Sequence, residues 1–379
     1  MLVVFSTLIA FILLIFFLEV HFGLKSIQRL ECVTPSLKYC PKISIIITAK
    51  DEEAAILKTL NHISQLDYPN LEIICVNDRS EDATGKLIDA FSKKDPRIKP
   101  IHITQLPEGW MGKNHAAHCA SKQASGDWLL FIDADVQLKE DMLKRLMTYI
   151  QKKEIDHITI LFHYLCNGFI YNIFHIAHKS FGFVIGLKPW MARVRASKRS
   201  INIGHFCLVN KAVYEQCGGH QAVAMQCLED VRFGELVKKH GFKQEAINCQ
   251  YHAEIEWYAT WQEMFRGIRK NSFAFFHYQL TPVILGSIGW VLLFILPFFA
   301  VFFTHGYAQL AFGASIFFLY AIAFDACRFF KMPLRYLPFL PIGLIMHLWP
   351  MYASVFYFYK NKGIYWRGTF YSADKLRGF

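Results

Sequence analysis

Two aspartates close the run DWLLFIDADV: Asp133 and Asp135, spaced i and i+2 after a buried, strand-like stretch. Side chains two apart on a strand project to the same side. Such a carboxylate pair can hold a hard divalent cation through oxygen, with waters and substrate phosphates completing its shell. The cation then neutralises charge building on a diphosphate leaving group. A lone D-x-D is a common strand ending, so its weight depends on its surroundings. A second acid pair, Glu229 and Asp230 in CLEDVRFG, precedes a helix-like segment. A carboxylate poised at a cleft can deprotonate an acceptor hydroxyl; the same pair could equally cap a helix.

Three further segments carry polar groups where elements end. TAKDEE, residues 48–53, closes a β-branched run and could border a base, or simply start a capped helix. In VNDRSED, residues 76–82, Asp78 can accept hydrogen bonds from a nucleobase or ribose, while Ser80 or Asp82 could cap the helix that follows. In GWMGKNHA, residues 109–116, two glycines mark a loop and Lys113 can meet a phosphate. The spacing is not that of a P-loop. His115 and His118 share a helix face, without the further ligand spacing a zinc site needs.

The elements that must position these groups alternate. KISIIITAK, LEIICVND and DWLLFIDAD read as buried strands; DEEAAILKTLNHISQL and DATGKLIDAFSKK read as amphipathic helices between them. Strand–helix alternation predicts an α/β fold with a mainly parallel, Rossmann-like sheet. Ligands of such sheets sit at the carboxyl ends of the strands, and all three strands end in polar, acidic clusters. No G-x-G-x-x-G follows the first strand, which argues against a dinucleotide dehydrogenase.

Composition adds a membrane. Hydrophobic residues make up 54% of the 379, charged residues 19%, with 35 Phe. Residues 2–20 are apolar enough to anchor the chain, and a cleaved signal peptide fits less well, having neither a basic n-region nor an A-x-A site. Apolar runs return from about residue 282; the third of them, broken by Pro338, Pro341 and Pro350, could span, kink or form a hairpin. The net charge of +11 gathers near these runs, which favours an anionic membrane face and no nucleic acid. The ten cysteines contain no C-x-x-C pair and read as reduced, structural thiols. The expected organisation is an anchor at 1–24, a catalytic domain at 42–270, a membrane region of two to three segments at 271–359 and a basic tail at 360–379. Three spans after a cytosolic domain would leave that basic tail outside, against the positive-inside rule; a hairpin in the third run would return it.

In their order, TAKDEE, NDRSED, GWMGKNHA, DAD, GG and ED resemble the family 2 inverting glycosyltransferases of GT-A fold. With membrane runs at both ends, the chain is most similar to their lipid-glycosylating branch, which includes ceramide glucosyltransferases and bacterial carotenoid-acid (diaponeurosporenoate) glycosyltransferases. YWRGTFY, residues 365–371, is similar to the W-[RK]-G-R-x-Y tail of that branch, with Thr369 in place of a basic residue. The resemblance implies that Thr48, Lys50 and Glu52 line a nucleobase pocket and that Asp78 grips base or ribose. It implies Lys113 near the donor, Asp133 on ribose or metal, Asp135 on the metal (Mg2+ or Mn2+) and Asp230 as general base beside Glu229. Gly218 and Gly219 would form the turn below the acceptor. Where relatives carry Q-x-x-R-W, this chain has WQEMFRGIRKN, with Gln262 and Arg266 one residue too far apart. That argues against processive polysaccharide synthesis, yet Arg266, Arg269 or Lys270 could still hold a diphosphate; beside FAFFHYQL they could equally snorkel.

The expected function is transfer of a sugar, glucose from UDP-glucose by resemblance, to a lipid hydroxyl or carboxyl acceptor at the bacterial cytoplasmic membrane, with the catalytic domain facing the cytosol. One alternative is a polyprenyl phosphate acceptor, which needs no general base. The other is a non-catalytic nucleotide-binding membrane protein, against which the intact acid set argues.

Overall fold

The computed structural model describes residues 1–377. Strands β1 (Ile43–Ala49), β2 (Leu71–Asp78), β3 (Ile98–Ile103) and β4 (Trp128–Ile132) run parallel. The short β5 (Gln137–Leu138) follows, then β6 (His157–Leu161), β7 (His163–Tyr164), β8 (Phe206–Asn210), β9 (Gln244–Asn248) and β10 (Ala253–Ile255). The main sheet has seven strands in the order β3-β2-β1-β4-β8-β6-β9, and only β8 runs against its neighbours. Strands β5, β10 and β7 form a small second sheet beside it. This is the mainly parallel α/β architecture expected.

Alternation along β1 shows why the sheet is covered on both faces. Ile45 and Ile47 pack with Ile56, Leu60 and Leu146 from the helices Ile56–Ser64 and Met142–Lys153. Ile46 packs on the other face with Ala116, Ala120 and Phe233 from the helices Gly112–Gln123 and Glu229–Lys239. Every residue of β1 is buried, as a central parallel strand requires.

The first helix begins later than the pattern DEEAAILK predicts, at Ile56. Residues 51–55 instead interlock with 80–84. Asp51 Oδ1 accepts from the Glu81 N–H (2.8 Å), Glu53 Oε2 from Ala83 N–H (2.9 Å), and Asp82 Oδ2 from Glu53 N–H (3.0 Å). The acids of the two loops satisfy each other's backbone, so the carboxyl ends of β1 and β2 are held as one unit.

Four helices are long and apolar enough to cross a membrane: Leu2–Ser26, Leu280–Phe303, Gly306–Phe330 and Leu334–Asn361. The first packs along the third, and ion pairs of His21 with Asp325 (2.7 Å) and Glu19 with Lys188 (2.6 Å) tie its lower half down. After Leu334–Asn361 the tail forms a hairpin of β11 (Gly363–Trp366) and β12 (Thr369–Ser372). That hairpin returns to the catalytic domain: the Gly112 N–H donates to Tyr371 Oη (3.3 Å) and Lys375 pairs with Glu108 (2.7 Å). The second half of the proline-broken third run lies against the helix Trp261–Phe275 through Phe273–Phe358 and Phe265–Trp349 ring contacts.

Candidate active site

The acids singled out in the sequence meet at the carboxyl ends of β1 and β4. A cavity of about 30 Å3 there is lined by Thr48, Lys113, Asp133, His220, Glu229 and Asp230. The helix Gly112–Gln123 starts just below the strand ends and aims Lys113 inward. Its ammonium bridges Asp133 (2.8 Å) and Glu229 (3.1 Å). Burial works against that charge, but the two carboxylates outweigh it and hold Lys113 well above the ordinary lysine range. Burial likewise opposes the charge on Asp133, yet Lys113 and His205 keep it well below the usual carboxylate range.

Asp135 is different. Its Oδ1 is buried without a hydrogen-bond partner. Burial, then the charge of Asp133, raise its pKa. An orphaned buried carboxylate oxygen two residues from a second aspartate fits a cation's ligand set. Among the described residues no group of three or more His, Cys, Asp or Glu could hold a metal unaided. A cation here would need oxygens from a substrate, as D-x-D sites do.

Asp230 opens the helix Glu229–Lys239 and its Oδ2 accepts from the Gly204 N–H (2.7 Å). Burial, then the neighbouring Glu229 charge, push it up to about 6. A carboxylate with that value is a better proton acceptor near neutrality than an ordinary aspartate. Gly218 and Gly219 both have positive φ, at 81° and 54°, and their turn delivers His220 beneath the cavity. His220 stacks on Phe233 and its Nδ1 bonds Tyr214 Oη (2.9 Å).

Of the residues expected at the base, Thr48 lines the cavity, and Lys50, Glu52 and Asp78 do not. Thr48 is buried at the end of β1. Lys50 Nζ donates to the Arg79 carbonyl (2.9 Å). Asp78 is fully buried and both its oxygens accept from Arg79 (2.7 and 3.0 Å), a fork that leaves it closed by its own neighbour. Gly112 passes against this pair, and any β-carbon there would strike Asp78 and Arg79. Burial raises Glu52, Arg367 opposes that rise, and Asp135 and Asp133 add to it, so three carboxylates share one field.

Gln262 does not join the cavity; it is exposed on the helix Trp261–Phe275. Arg266 and Arg269 line a separate hollow of about 300 Å3 together with Lys270, Trp366 and Arg367. Arg269 lies over the Tyr357 ring (4.3 Å) and Lys270 over the Trp366 ring (3.4 Å). Two site residues escaped the sequence reading. His205, whose Nδ1 meets Asp133 Oδ2 (2.9 Å), has no local signal in NIGHFCLVN. Arg367 sits at the tip of the tail hairpin with φ 47° and a buried, unpartnered terminal nitrogen, within electrostatic reach of Glu52 and Lys113. The W-R-G of the tail was its only sequence signal.

Residues 44–218 match the profile of the family described as Glycosyl transferase family 2, and the fold is GT-A-like, a mostly parallel α/β sheet. Over 102 residues the chain is 40% identical to the "Probable glycosyltransferase YdaM" of Bacillus subtilis, covering 26% of this chain and 24% of that one. Over 122 residues it is 28% identical to the "Beta-monoglucosyldiacylglycerol synthase" of Trichormus variabilis, covering 32% and 26%. The chain spans between 24% and 38% of the length of the first curated relatives it matches. Among solved structures, the mannosyltransferase PcManGT from Pyrobaculum calidifontis, in complex with GDP-Man and Mn2+, is similar in fold, with TM-score 0.54 and 16% identity over 92% of this chain and 99% of that one.

Proposed function

We propose that this chain is a membrane-embedded inverting glycosyltransferase that moves a sugar from a nucleotide-sugar donor to a lipid acceptor, with Asp230 as general base. The observation that carries this reading is Asp230 itself. It is aimed into the cavity, anchored by Gly204 N–H and raised to about 6, with Asp133, Glu229 and Lys113 on the same lining. An acceptor oxygen bonds the anomeric carbon as the bond from that carbon to the diphosphate breaks, and configuration inverts. Asp230 takes the acceptor proton in the same event. Asp135 and Asp133 would hold a divalent cation, Mg2+ or Mn2+, which supplies positive charge to the leaving diphosphate. Lys113 and Arg367 add fixed positive charge at that end, where preorganised groups stabilise the transition state.

Thr48, Lys50, Glu52 and Asp78 border the nucleoside in this reading, with Arg79 releasing Asp78 to the base or ribose. A UDP-sugar is the donor favoured, glucose foremost, in keeping with the lipid glucosyltransferase among the similar proteins. The catalytic domain faces the cytosol, where nucleotide sugars are supplied. The test is incubation of detergent-purified protein with labelled UDP-sugars and a lipid extract, and identification of the product by mass spectrometry. Absence of any glycolipid across UDP-glucose, UDP-galactose, UDP-N-acetylglucosamine and GDP-mannose would overturn the proposal.

A further inference from the structure

Lys179 is a buried cation with no counter-charge. It lies on the helical segment Phe169–Ile185, outside the four long apolar helices, and is 4% exposed. Its Nζ sits over the rings of Tyr164 (3.7 Å), Phe183 (4.4 Å), Phe330 (5.6 Å) and Trp257 (5.8 Å). Among the described residues no carboxylate pairs with it. The one ionisable group whose field favours its charge is the Cys166 thiol, which burial pushes up to about 12 and so keeps neutral. Ring faces attract an ammonium but do not accept its three N–H bonds in the way an oxygen does. A desolvated, unpaired charge is among the most costly groups a fold can bury. Burial alone pulls Lys179 down to about 7.

Its location explains the cost. Trp257 and Phe183, two of its four rings, also line an apolar groove of about 480 Å3 between the segment Phe169–Ile185 and the helices Trp261–Phe275, Leu280–Trp290 and Leu348–Asn361. Phe275, Phe276, Trp290 and Met351 supply its walls. Leu228, which also lines it, is the residue before the Glu229–Asp230 pair, so the groove runs up to the cavity wall. Tyr164, the third ring, faces the other way: it lies 6.3 Å from the His205 ring, whose Nδ1 holds Asp133, and its hydroxyl feels the charges of Asp230 and Asp135. Lys179 itself lines neither space: it stands behind the ring wall of Phe183 and Trp257, on the side where Tyr164 turns towards the acid cluster. His178 and His347 stack 5.4 Å apart on the groove wall, each with a buried Nδ1 lacking a partner. Ser180 Oγ, on the residue after Lys179, is likewise buried without a partner.

We propose that the groove holds the hydrocarbon chain of an anionic lipid acceptor and that Lys179 binds the carboxylate or phosphate of its head. This deepens the glycosyltransferase reading, on which it rests, by naming the acceptor's charge. The anion that Lys179 binds orients the head and is not the attacking oxygen; a hydroxyl of the same head attacks, so Lys179 is a specificity residue and Asp230 takes the hydroxyl proton.

Binding without donor separates this inference from the transfer reaction. The full chain in maltoside detergent is titrated with 9,10-dibromo-octadecyl carboxylate, phosphate and alcohol, whose bromines quench tryptophans on contact. The carboxylate or the phosphate should bind at least about tenfold more tightly than the alcohol, and the comparison of the two identifies which anion the site takes. Lys179→Met should abolish that preference and Lys179→Arg should retain it. Removing an unpaired buried charge into an apolar box should leave the thermal midpoint of Lys179→Met unchanged or higher, which separates loss of recognition from loss of fold. Quenching should fall in a Trp257→Phe/Trp290→Phe double variant. Equal affinity of the wild-type chain for alcohol and anions, an undiminished preference in Lys179→Met, or undiminished quenching in the double variant would each overturn the proposal, whether or not the protein transfers sugar.

Discussion

Asp230 and Asp133 are both aspartates at the mouth of one cavity, and their surroundings drive them apart. Lys113 and His205 hold Asp133 down by direct ion pairing, whereas for Asp230 burial and the Glu229 charge outweigh the Lys113 charge and the Val231 and Gly204 N–H groups. One acid is thereby fixed as an anion and the other is poised to exchange a proton. Asp230→Asn should retain donor binding, measured by calorimetry, and lose transfer by about 10²-fold or more. If that variant turns over normally, the acceptor oxygen needs no base. The base works only when deprotonated, and its value is raised to about 6. The ratio kcat/KM should therefore climb with pH through about 6 and level off above it; a profile flat from pH 5 to 8 counts against the assignment. These acids were legible in the sequence because strand ends and helix starts are local features. His205 and Lys179 were not: each is a single basic residue in an ordinary stretch, and its partners come from 40 or more positions away or, for Lys179, are rings rather than charges.

At the scale of elements, β2 shows how a strand start can matter as much as its end. Glu72 is 3% exposed and gathers Ser44 Oγ from β1, the Ser125 and Gly126 N–H groups that lead into β4, and Lys99 from β3 (2.8 Å). Burial opposes its charge, but Lys99, Ser44 and Ser125 outweigh that and hold it at about 2. A carboxylate lowered from 4.5 in this way stabilises the fold fully above about pH 4.5 and loses that contribution as pH falls towards 2. Glu72→Ala strands several buried donors and should cost about 2–4 kcal/mol in urea unfolding at pH 7, with a smaller difference from wild type at pH 3. The tail hairpin is the opposite case, an element invisible to local pattern. Among the described residues its strands pair with each other alone, and Arg367 comes within electrostatic reach of Glu52 and Lys113 because Tyr371 and Lys375 pin the hairpin to Gly112 and Glu108. Arg367→Ala should lower kcat/KM for the donor by about 10- to 100-fold while leaving the unfolding midpoint in place. An unchanged donor kcat/KM would reduce the hairpin to packing.

For the whole molecule, the contact between tail and domain bears on a question that hydropathy leaves open. Apolar length alone allows four crossings, and with four the tail would lie across the bilayer from Gly112. The charge pattern pointed the same way as the contact, since Lys360, Lys362, Arg367, Lys375 and Arg377 crowd the tail. What the sequence could not reveal is how the third run packs. Its prolines end one helical stretch and begin another, so that Trp349 and Phe358 can lie on Phe265 and Phe273 of the domain's last helix. That arrangement closes one wall of the groove beside Lys179, so topology and acceptor access are one problem. An epitope inserted at the exposed Lys93–Lys94 turn and another fused after Phe379 should be equally accessible to protease in inverted membrane vesicles and equally protected in right-side-out spheroplasts. Opposite protection of the two epitopes would mean that the third run crosses, and would dissolve both the hairpin's access to the donor end and the groove's continuity with the acid cluster.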